Sequence, residues 1–135
     1  MAQFYRDIQI GTVWEGSGNV IALDVLRAMA REPESLDAFM AECESARGAD
    51  SRLDTHLDLT RAALDDLHRT EPQFAARALV EDMALALQAS LLVRNGPAPV
   101  ADAFCAARLG GRHRAFGTLP PGVEAERLVA RALAA

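Results

Sequence analysis

Apolar residues recur at three- and four-residue spacings along most of this chain, the signature of helices with one buried face. After an irregular or amphipathic lead-in over residues 2–10 and a glycine-rich, loop-like stretch over 11–19, Val20, Leu23, Val25, Leu26 and Met29 predict a helix ending near Arg31. Glu32-Pro33 interrupts it, because proline suits the first turn of a new helix and not an interior. A second helix is expected from about Glu34 to Arg47 on Leu36, Phe39, Met40 and Cys43, with Gly48 as its stop. A third runs from about Ser51 to His68 on a stripe of Leu53, Leu57, Thr60, Leu64 and Leu67. Thr70-Glu71-Pro72-Gln73 reads as a capping box that opens a fourth helix reaching Arg94. That helix is apolar on most sides and therefore central. Asn95-Gly96-Pro97 ends it. A fifth helix spans about Pro99 to Leu109, residues 110–122 form a loop, and a last short helix takes Glu124 to Ala134.

Composition strengthens the helical reading. Of the 135 residues, 50% are hydrophobic but only 5% aromatic. Ala and Leu dominate, and both lose little entropy in helices. The expected fold is all-α: a helical bundle of one helix belonging to the N-terminal motif and four or five more, with a boundary between Arg31 and Pro33. The apolar run from Met83 to Val93 carries Gln88 and Ser90 and is too short to span a bilayer. The net charge is −5, with fourteen arginines and no lysine, a balance that disfavours general binding of polyanions. Cys43 and Cys105 have neither metal nor redox spacing, so they read as buried, reduced thiols. With no secretory signal in view, a cytoplasmic location and no membrane association are expected.

One segment carries candidate chemistry. In Trp14-Glu15-Gly16-Ser17-Gly18-Asn19 a carboxylate follows the largest apolar side chain and precedes two glycines. Glycine lets a backbone approach a ligand closely. Ser17, Gly18 and Asn19 lie where a helix begins, and free N–H groups there suit a phosphate. A Glu shielded by Trp would have a raised pKa, which suits a general base. A capped helix after a turn explains the same spacing, and no preceding strand or third glycine supports a dinucleotide fold. Spacing alone leaves both readings open.

The segment Tyr5-Arg6-Asp7 to Val20, followed by Leu23-Asp24-Val25-Leu26-Arg27, resembles the C-terminal end of the acyl-CoA dehydrogenase fold, and within that family its DNA-alkylation-response, AidB-like branch. The likeness is sharp over residues 5–27 and loose beyond. It implies that residues 1–31 are the end of the catalytic core and residues 32–135 a C-terminal helical extension. It implies Glu15 as the base that removes the α-proton of an acyl-CoA thioester while hydride passes to flavin. By the same resemblance Gly16 lies against the thioester, Trp14 walls the acyl pocket, and Ser17, Gly18 and Asn19 contact FAD. Ser17 stands where Thr is usual and keeps the hydroxyl; Asn19 is shorter than the usual Gln or Glu. Most of the family's flavin and CoA sites are built by parts that precede this motif. The isolated chain is therefore expected neither to hold FAD tightly nor to turn over substrate. Assembly into homo-dimers or tetramers is the family's habit.

Three further groups of residues carry candidate roles. Arg108, Arg112, His113 and Arg114 form the one basic cluster, with no acid between Ala103 and Val123. The family branch is associated with DNA, so this is where such contact is expected, although pairing with the chain's own carboxylates explains the cluster more simply. His56 and His68 lie three helical turns apart and, with Asp65, supply too few ligands for a metal; no metal site is expected, and surface roles are. Asp54, Asp58, Asp65 and Asp66 read as a solvated face partnered by Arg61.

Overall fold

The computed structural model describes residues 18–69, 71–110 and 119–133. Its elements are α1 (Gly18–Arg31), α2 (Pro33–Glu44), α3 (Ser51–Asp65), α4 (Pro72–Asn95), α5 (Ala98–Phe104) and α6 (Ala125–Leu133). A single 3-10 turn, Leu67–Arg69, follows α3, and a π turn, Cys105–Leu109, continues α5. Among the described residues there is no strand, and the all-α bundle expected from the periodicity is the fold.

Proline and acid side chains set the helix starts. Pro33, Pro72 and Pro99 lie in the first turns of α2, α4 and α5, where no intrahelical N–H is lost. Asp50 caps α3: in extended backbone, its Oδ1 accepts from the Arg52 N–H at 2.8 Å. The box expected ahead of α4 is replaced by a simpler start. Glu71 holds the cap position without a side-chain capping bond, and Thr70 lies outside the described residues. The α2 helix stops at Glu44, before the expected Arg47. There the carbonyl of Glu42 accepts from Ser45 Oγ at 2.5 Å and from Ser90 Oγ at 3.3 Å. The chain then tightens into bonds from Ala46 N to Cys43 O and from Arg47 N to Glu44 O. It turns at Gly48, whose φ of 87° favours glycine, and the Gly48 N–H donates to Asp54 Oδ1.

The 24-residue α4 is the axis of the bundle and packs against α1, α2, α3 and α5. Its buried residues Ala76, Leu79, Met83, Ala86 and Ser90 alternate at spacings of three and four, so one seam faces inward along the whole helix. Several are small, which lets neighbouring helices approach closely. Ala86 and Ala89 meet Cys43, Ala46, Leu53, Leu57 and Cys105 in the core, with Phe39, Val93, Phe104 and Leu109 around them. The α3 stripe is as expected, with Leu53, Leu57 and Thr60 buried. Thr60 Oγ1 is satisfied by the His56 carbonyl at 2.8 Å.

Arginines clamp the helices together. Arg47 and Arg61 both bond Glu44, and Arg47 also reaches Asp58 at 2.9 Å, joining α2 to α3. Arg52 bridges Asp50 and Asp102, tying α3 to α5. Arg94 of α4 bonds Glu42 and Ser45 at the end of α2. The acidic face of α3 is thus divided between Arg47 and the Gly48 amide, while Arg61, expected to serve it, crosses to Glu44 instead. His56 is likewise not a surface residue. It is half-buried, and its Nε2–H donates to the Asp82 carbonyl at 2.8 Å, linking α3 to α4.

Candidate functional site

Gly18 and Asn19, expected in a loop, already belong to α1. A Cβ at Gly18 would meet only the guanidinium tip of the exposed Arg77, which reaches across from α4 and is free to swing aside. Asn19 lines a cleft of about 390 Å³ between α1 and the first turns of α4, together with Ala22, Leu23, Gln73, Phe74, Ala76 and Arg77. Trp14, Glu15, Gly16 and Ser17 lie outside the described residues.

The cleft has a distinct chemical character. Its floor is apolar, with Ala22 and Ala76 buried where α1 crosses α4. Among the described residues, its polar groups are the carboxamides of Asn19 and Gln73 and the guanidinium of Arg77, with no carboxylate among them. Arg77 makes no ion pair among the described residues, unlike Arg47, Arg52, Arg61 and Arg94. Phe74 stands at the rim, 86% exposed. The sequence marks Gln73 only as a capping residue and does not single out Phe74 or Arg77, because their place in a cleft depends on α1 lying alongside α4. The signal was present in retrospect: small residues at Ala22 and Ala76 bring the first turns of the two helices together.

The perturbed titrating groups lie elsewhere and are structural. Hydrogen bonds from Arg47 and then Arg61 hold Glu44 down to about 2. Arg52 lowers Asp50 in the same way. Burial pushes the thiols of Cys43 and Cys105 up to about 11, so neither is a nucleophile near neutral pH. Both are free cysteines in the core, as expected. No cluster of metal-ligating side chains occurs among the described residues.

Arg108, from the basic cluster, sits in the π turn, half-buried and already engaged within the molecule. Arg112, His113 and Arg114 lie outside the described residues. No helix among the described residues is long and apolar enough to cross a membrane.

No family model matches the chain, and no solved structure matches it. Among characterised proteins, it is similar to the acyl-CoA dehydrogenase-like protein AidB of Escherichia coli (strain K12), 24% identical over 112 residues. The matched segment is 83% of this chain but 20% of that protein, so the chain spans about a fifth of its relative's length. The similarity reaches well past the motif and places the chain in likeness to the acyl-CoA dehydrogenase superfamily.

Proposed function

We propose that this chain is the C-terminal part of an FAD-dependent acyl-CoA dehydrogenase-like protein. Residues 1–31 supply the end of its catalytic core, and residues 32–135 a helical extension. The similarity to AidB, which runs through most of the chain yet matches only a fifth of that protein, is the observation that carries the reading. In this reading Glu15 takes the α-proton of an acyl-CoA thioester, and the flavin, when bound, accepts the hydride. Gly16 lies against the thioester, Trp14 walls the acyl chain, and Ser17, Gly18 and Asn19 face the FAD. The position of Asn19 on the cleft side of α1 supports a ligand-facing role for this end of the helix.

The test uses the protein as the cell makes it. The expected product is several times longer than this chain and carries FAD in about equimolar amount. In it, Glu15→Gln should abolish reduction of the flavin by acyl-CoA while the flavin absorbance is kept. Unchanged reduction would remove Glu15 as the base, and a flavin-free product of this length would remove the enzyme reading.

A second reading, an oligomerisation or interaction module without chemistry of its own, has one observation in its favour. Outside its polar stripe of Asp24, Arg27 and Arg31, α1 is largely apolar, yet only Ala22 is fully buried, and Val20 is 51% and Ile21 41% exposed. Such a helix wants a partner surface, which in the first reading is the rest of the flavoprotein and in the second another subunit. DNA contact is less well supported, because the chain is acidic and Arg108 is engaged internally.

A further inference from the structure

We draw no further inference here: the strongest candidate, the apolar stripe of Ala125, Val129, Ala132 and Leu133 left exposed along α6 beside its packing on α5, carries nothing because no feature of the structure shows what covers it.

Discussion

Glu44 offers the sharpest test of what holds the bundle together. It is 23% exposed and receives two guanidinium groups, Arg47 from its own end of α2 and Arg61 from α3. Its carboxyl is held at about 2 against an ordinary 4.5. At about 1.4 kcal/mol per pH unit that displacement corresponds to roughly 3 kcal/mol of preferential stabilisation of the ionised folded state. Water reduces it, since Arg47 is 38% and Arg61 53% exposed, and about 1–2 kcal/mol is the expected net contribution. Glu44→Gln keeps the shape and removes the charge, so it should lower the unfolding free energy by about that amount at pH 7, read from urea denaturation.

The pH dependence then has a fixed sign. A carboxyl whose pKa is lower in the folded state contributes stability that is fully present above its unfolded value and is lost as pH falls through the folded one. The gap between the parent chain and Glu44→Gln should be constant from pH 7 to about 5. It should narrow below 4.5 and nearly close by about pH 2. Taking the difference between the two proteins removes the acid sensitivity of the other carboxylates. A gap that stays constant down to pH 2, or a Glu44→Gln protein as stable as the parent at pH 7, would show that the clamp is decorative and that apolar packing alone joins α2 to α3.

Two other perturbations read the core. Leu57 is completely buried among Cys43, Ala86 and Ala89, so Leu57→Ala should cost about 2–5 kcal/mol in urea denaturation; a loss under about 1 kcal/mol would mean that the site collapses to fill the void. The two thiols, pushed up to about 11 by burial, should stay unreactive toward an aromatic disulfide reagent in the native chain and both react in guanidinium. Rapid modification of either in the folded protein would contradict their placement.

The sequence revealed most where local pattern and burial coincide. Leu53, Leu57 and Thr60 announced the inner face of α3, and Pro33, Pro72 and Pro99 marked the starts of three helices, because these signals act within one or two turns. It misled where the outcome hangs on a distant partner. Local spacing pairs Arg61 with acids on its own helix, yet Glu44 of α2 captures it. The pattern assigns His56 a surface role, yet its ring N–H donates a hydrogen bond to a carbonyl of α4. The cleft was illegible for the same reason: Asn19 and Arg77 share no local pattern, and only the close crossing at Ala22 and Ala76 brings them together.

That crossing bears on how the two proposed parts of the chain relate. By ancestry, as the resemblance has it, α1 ends a catalytic core and α2 begins an extension. By packing, α1 lies on α4 and α2. The junction itself stays hydrogen-bonded, with Glu32 N donating to Ala28 O at 2.8 Å and Ser35 N to Glu32 O at 2.9 Å. The division proposed near residue 31 therefore does not fall between two separately packed units. α1 takes its position from α4, whose inward seam is fixed along its length by the rest of the bundle. Destabilising that seam far from the motif, as Leu57→Ala does through Ala86 and Ala89, should loosen the cleft end as well. In a flavin-bearing parent the same change should weaken cofactor retention without touching a single residue of the site.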